Sequence, residues 1–201
     1  MAATKAGAAN DVWQAVAQNA LLEGTVIDVS AHYGNMLHID AALTSETAHL
    51  GTIIRVLISS AASADEFWTT LTAFLCLVGT ANSEAITNNP LAAAATVITM
   101  ASTTGYTAYG ENDQTHFLKD ATFANSELVH RIAHTTDTSI GLLDGVTREH
   151  ANTAVLYNIA RTFAIPIPLE ALRVKVVYNN KYSASGSTIA VRSRIVNVTG
   201  V

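Results

Sequence analysis

Apolar and polar residues alternate with a period near two along most of this chain, the pattern of strands that bury one face. In "GTVIDVSA" (24–31), Val26 and Asp28 share one face, and Thr25, Ile27 and Val29 the other. "MLHIDAAL" (36–43) follows a Tyr33-Gly34-Asn35 turn signal. "GTIIRVLISSA" (51–61) is an unbroken β-branched run and predicts a strand covered on both faces. "EFWTTLTAFLCLVG" (Glu66–Gly79) fits two readings. Its Phe67, Trp68, Leu71, Phe74, Leu75 and Val78 trace a helical stripe, while its threonines favour a strand.

Further strands are predicted at 94–101, in "THFLKDA", in "ELVHRIAHT" and in "TSIGLLDGV", which ends at an Asp144-Gly145 turn. "TREHANTAVLYNIAR" predicts a helix or irregular turn with Thr147 as N-cap. Pro166 and Pro168, two apart, predict an edge strand or a bend. About ten short strands at such spacing predict an all-β fold, an antiparallel β-sandwich or jelly roll, as a single domain over residues 21–201. Residues 1–20 read as an N-terminal arm or short helix, with Val12, Trp13 and Val16 on one side.

Composition changes the picture of the surface. Of the 201 residues, 49% are hydrophobic and 13% charged, against about 25% charged in ordinary soluble domains. Much of the surface is therefore expected to be neutral or buried against partners. No apolar run approaches the roughly 20 residues of a membrane helix, and the start "MAATKAGAAND" lacks the apolar stretch of a secretory signal. Cys76 is the single cysteine and reads as a buried, inert thiol.

Charge is unevenly spread. From Ala171 onward the chain carries Arg173, Lys175, Lys181, Arg192 and Arg194 and no acid, in a protein of net charge −5. "LRVKVVYNNKYSASGSTIAVRSRIVNV" (172–198) predicts a hairpin whose strands place Arg173 and Lys175, and Arg192 and Arg194, on one common face. After Arg194 the phase becomes ambiguous and reads as either a bulge or a change to two-sided burial. The four cations are either a solvated face that blunts a sheet edge or a docking face for an acidic surface, a second copy included. Arg173, Lys175, Arg192 and Arg194 are the candidate interface residues, with Trp13 as an anchor for the arm. Reversing charge at Arg192 and Arg194 is then expected to weaken assembly, in a salt-dependent way, more than folding. Net acidity and the lack of aromatics among the cations argue against nucleic acid.

Candidate chemistry is sparse. His130 and His134 with Glu127 would share a helix face, but on a strand the two histidines lie about 13 Å apart, too far for one ion. The adjacent Asp65 and Glu66 point to opposite faces of a strand. No G-x-S-x-G elbow, phosphate-binding glycine loop or calcium loop occurs. No catalytic residue, metal ligand or cofactor is predicted, and the chain is expected not to be an enzyme. Tyr106 and Tyr109, beside "GENDQ" (110–114), form the one loop pair that could stack on a sugar, which keeps a carbohydrate- or receptor-binding module as an alternative.

The segment "ALRVKVVYNNKYSASGSTIAVRSRIVNV" resembles the carboxyl-terminal strands of tailed-bacteriophage virion structural proteins, arginine-flanked apolar strands around an Asn/Ser/Gly loop. "TVIDVSAHYGNMLHIDAALTSETAHLGTIIRVLIS" and "ANSELVHRIAHTTDTSIGLLDGVTREHANTAVLYNIA" follow the same manner. The resemblance implies a small all-β capsid cement, decoration or head–tail component. Such a subunit would be made in the host bacterial cytoplasm and carried on the virion. Its partners would be copies of itself and other virion proteins such as the major capsid protein. The resemblance carries no catalytic motif, so it transfers no functional residue.

Overall fold

The computed structural model describes residues 3–6, 12–31, 34–63, 67–106, 115–181 and 186–198. The chain is all-β and antiparallel. In order, the strands are β1 (Ala3–Ala6), β2 (Gln14–Val16), β3 (Leu21–Glu23), β4 (Ile27–Asp28), β5 (Asn35–Leu43), β6 (Thr52–Ser59), β7 (Thr69–Cys76) and β8 (Ser83–Ala85). There follow β9 (Val97–Thr99), β10 (Thr115–Lys119), β11 (Glu127–Thr136), β12 (Ser139–Leu142), β13 (Val155–Tyr157), β14 (Ala160–Ile167), β15 (Arg173–Asn179) and β16 (Ile189–Val198).

Two sheets make a sandwich. In the first, β16, β5 and β14 lie side by side, and β1 and β2 share the other edge of β16. In the second, the order is β15-β6-β7, and β3 and β4 share the other edge of β15. The period-2 pattern places the core directly. Leu37, Ile39, Ala41 and Leu43 of β5, with Ile189, Val191 and Ile195 of β16, are buried in one cluster with Ile54 and Val56 of β6 and Val174, Val176 and Tyr178 of β15. Each buried Leu, Ile or Val of this set contributes about 1.5–3 kcal/mol.

Residues 83–157 leave the sandwich between β7 and β14 and form a third sheet, in the order β8-β13-β10-β11-β12-β9. Its register slips on β11 between Arg131 and Ala133 and between His134 and Thr136, and such irregularities increase twist and bend a sheet. The two end strands meet. Ile86 bridges Met100, and the Thr87 amide and hydroxyl donate to Thr99 O and Oγ1 at 2.7 and 2.9 Å. The sheet thus curls around its own core, with Ile98, Leu118, Ile140 and Leu156 at the centre. Its outer side reaches the sandwich through Phe117, whose ring lies 4.6 Å from that of Trp13.

Several expectations hold and several are corrected. Residues 66–79 supply strand β7, not a helix, and the two prolines sit on or beside β14, an edge strand. The β-branched run of β6 is covered on one face only: Thr52, Ile54 and Val56 are buried while Arg55 is exposed. Residues 12–20 hold strand β2 and no helix. Thr147 caps no helix: its amide and hydroxyl donate to the Glu127 carboxylate.

The largest correction concerns the terminal hairpin. β15 and β16 do not pair. β15 pairs with β6, and β16 with β5, in different sheets. Their apolar faces meet across the core instead: Tyr178 of β15 and Val191 and Ser193 of β16 line one small cavity of about 10 Å³. The segment between them is long enough to cross the roughly 10 Å that separates packed sheets. It is tied by buried Asn180, whose amide donates to Val16 O, Ala17 O and Ser187 O. His49 joins the same knot, its ring nitrogens 2.6 Å from Ser187 Oγ and 2.9 Å from Thr52 Oγ1. No bulge follows Arg194: β16 stays in register with β5 through Asn197.

Candidate interaction surface

The four cations of the expected patch occupy two different sheets. Arg173 and Lys175 stand on the outer face of the second sheet beside Trp68, at 5.2 and 4.8 Å from its ring centre. Arg173 donates through Nε to Ala61 O at 2.7 Å, and Lys175 pairs with Glu23 at 3.2 Å. Neither β15 nor β16 is an edge, so the cations do not blunt one.

Arg192 and Arg194 share Asp40. In the antiparallel register Arg192 lies opposite Asp40 on β5, and Asp40 lies opposite Thr162 on β14, so three strands bring the group together. Asp40 is 2% exposed in its side chain. It accepts from Arg192 Nε at 2.7 Å, from Arg194 at 3.3 Å and from the Thr162 hydroxyl at 2.8 Å. The Arg192 guanidinium also lies 4.7 Å from the Trp13 ring centre. Trp13 is 4% exposed. It packs against the Arg192 guanidinium and the Phe117 ring of its own chain. The common basic face is replaced by two separate clusters, each with two cations and one acid, Glu23 in one and Asp40 in the other.

A second buried ionic group joins residues far apart in sequence. The His150 ring is fully buried, with Nδ1 2.9 Å from Asp120 and Nε2 2.6 Å from Glu127. Carboxylates only accept, so both ring nitrogens donate and the imidazole is cationic. Burial alone would lower the His150 pKa, but hydrogen bonds to Glu127 and Asp120 and their charges outweigh it and raise it. Burial likewise pushes Glu127 up, while bonds from His150 and Thr147 pull it down, with a net lowering. Burial lowers His49. His116 falls to about 4 through burial and the Arg131 charge, and its ring packs edge-on against Tyr106. These groups hold loops to strands and are closed to solvent.

The other candidates fall as follows. Glu127, His130 and His134 lie on a strand, β11, as read from the sequence, and the Glu127 carboxylate accepts from His150 and Thr147. Tyr106 is 3% exposed and donates its hydroxyl to Leu156 O at 2.7 Å, so its ring is not presented to a sugar. Tyr109 and "GENDQ", like Asp65 and Glu66, lie outside the described residues. Cys76 is buried, which pushes its pKa up to about 12.

The open apolar surface lies elsewhere, around β7. Two clefts of about 540 Å³ each flank this strand. One is lined by Leu50, Ile53, Ala73, Phe74 and Leu75 on the outer face of the second sheet. The other lies between β7 and β14, where Leu71 and Phe74 face Phe163 and Ile165. The Phe74 and Phe163 rings are 4.6 Å apart and bridge the two sheets. Leu75 lies over Gly51, whose φ of +115° and lack of Cβ admit it. Leu50, Leu75 and Val78 are exposed, and Phe67, at the entry to β7, is 95% exposed. Among the described residues no charged side chain lines either cleft. A contiguous apolar surface of this kind marks a contact site. The sequence signal was present in "FWTTLTAFLCLVG", a long run without charge, but nothing in it told an edge strand from a central one.

Compared with known proteins, the chain matches no family model, no curated protein and no solved structure.

Proposed function

We propose that this chain is a non-enzymatic structural subunit of a tailed-phage particle, a capsid cement, decoration or head–tail component, that works by burying its apolar β7 side against neighbouring subunits. The observation that carries the reading is the uncharged apolar surface wrapped around an open sheet edge, in a chain with half the usual charge. The particle type comes from the resemblance of the strands. Apolar burial supplies the affinity, and complementary charge at the rim would add specificity and rate.

The test is sedimentation of the pure protein, alone and with capsid shells, at about 0.05 and about 0.5 M sodium chloride. Screening weakens charge-driven contacts over this range and leaves apolar ones standing. The expected result is association, with itself or with shells, that persists at the higher salt. A chain that stays monomeric and leaves shells unbound would overturn the reading.

A further inference from the structure

We propose that β7 is a homotypic docking strand: two copies of the chain pair their β7 edges antiparallel about a two-fold axis at Phe74, continuing the second sheet from one molecule into the next. The proposal rests on the assembly reading and names its partner.

Edge strands in natural proteins are usually blunted by charge, proline or bulges. The neighbouring edge, β14, follows this rule with Arg161 and Pro166. β7 does not. Thr69–Cys76 contains no acid, no base, no histidine and no proline. Its one irregularity is at Leu71, where Thr72 pairs with Val56 and Thr70 with Leu57, so that Leu71 is the extra residue. Thr72–Cys76 remains regular, and among the described residues nothing pairs with its free side.

Charge selects the occupant. Every other described strand of five or more residues carries an ionisable side chain: Asp40 in β5, Arg55 in β6, Lys119 in β10, Glu127 in β11, Arg161 in β14, Lys175 in β15, Arg192 in β16. Laid along β7, each would carry that group to the rim of clefts lined without charge, a costly placement. A second β7 brings none. A two-fold axis also makes the contact self-complementary.

Register follows from the faces. Thr72, Phe74 and Cys76 lie opposite Val56, Ile54 and Thr52 and so face the sandwich interior; Ala73 and Leu75 face outward. A two-fold normal to the sheet keeps faces matched only when it passes through a residue. Centred on Phe74, it sets the two Phe74 residues opposite each other, Ala73 opposite Leu75 and Thr72 opposite Cys76, using the whole regular segment. The five paired residues at about 3.3 Å each, across two sheets about 10 Å apart with their side chains, give a face on the order of 300 Å². That is below the ~800 Å² per partner in a standard interface and makes the pair a weak contact that gains strength by repetition in an assembly.

The experiment uses the full chain. Ala73→Lys places a charge on an exposed edge position, so thermal unfolding should stay within a few degrees of the parent while self-affinity falls at least tenfold. Separately, Ala73→Cys and Leu75→Cys proteins are mixed under mild oxidation. A disulfide dimer should form in the mixture and not in either protein alone; native Cys76 is buried and stays silent. Self-association untouched by Ala73→Lys, with no disulfide, overturns the β7 pairing and leaves assembly through another surface. A chain that is monomeric alone yet binds shells also overturns the pairing and leaves the assembly reading. A chain that neither self-associates nor binds shells overturns both.

Discussion

A His150→Leu protein should lose about 3–5 kcal/mol of folding stability near pH 6, the cost of removing one partner from a buried ionic group. The parent holds the imidazolium between Asp120 and Glu127 with no solvent to take its place. The variant leaves two carboxylates facing an apolar side chain. For a chain of this length each kcal/mol moves the melting temperature by about 2–4 °C, so a fall on the order of 10 °C is expected by circular dichroism.

The pH profile is a second readout of the same group. His150 has a raised pKa in the fold, so its contribution is complete below its unfolded value of 6.5 and is lost as pH rises through the folded value. Glu127 has a lowered pKa, so its contribution is present above its unfolded value of 4.5 and is lost as pH falls through the folded value. The joint contribution is therefore largest between about pH 4.5 and 6.5. In His150→Leu the paired acids repel and protonate more readily, so the gap between parent and variant should narrow in acid. A gap that is the same at all pH values would show that His150 acts by packing alone.

Asp40→Ala should cost about 3 kcal/mol, near the lower end of the same range because the two guanidiniums keep partial access to water. It removes the acceptor shared by Arg192, Arg194 and Thr162 and leaves two cations side by side. Arg192→Glu with Arg194→Glu should also act on folding first, since it sets two new acids around a buried one. The outcome runs opposite to the expectation drawn from the charge pattern, in which reversal weakens assembly more than folding. Urea unfolding of both proteins, beside sedimentation of whatever remains folded, separates the two. An Asp40→Ala protein as stable as the parent would return these arginines to the role of a surface patch.

Much of the local structure was legible from period and composition. The alternation in "RVKVVYNN" and "IAVRSRI" identified the core-facing residues of β15 and β16, although Arg173, Val177 and Ala190 on the opposite faces are buried as well. The prolines of β14 marked an edge, because proline cannot donate to a sheet ladder. Trp13 was singled out, and it is buried against Phe117.

Pairing was not legible. An apolar face says that a strand has a core side, but not which strand lies beside it and which lies across from it. A hairpin and a cross-core pair satisfy the same alternation, and the buried knot of Asn180, His49 and Ser187 decides between them. Asp120, Glu127 and His150 carry no mark in the chain, since 30 and 23 residues separate the histidine from its two partners. The exposure of β7 is likewise a property of sheet order, set by contacts between distant strands. The sequence by itself determined most of the longer strands, the core side of those that alternate cleanly and how little charge the chain carries, because those depend on near neighbours. The tertiary structure decided that the cations neutralise Asp40 and Glu23 and that an uncharged strand is left at an open edge, because those depend on which distant segments meet.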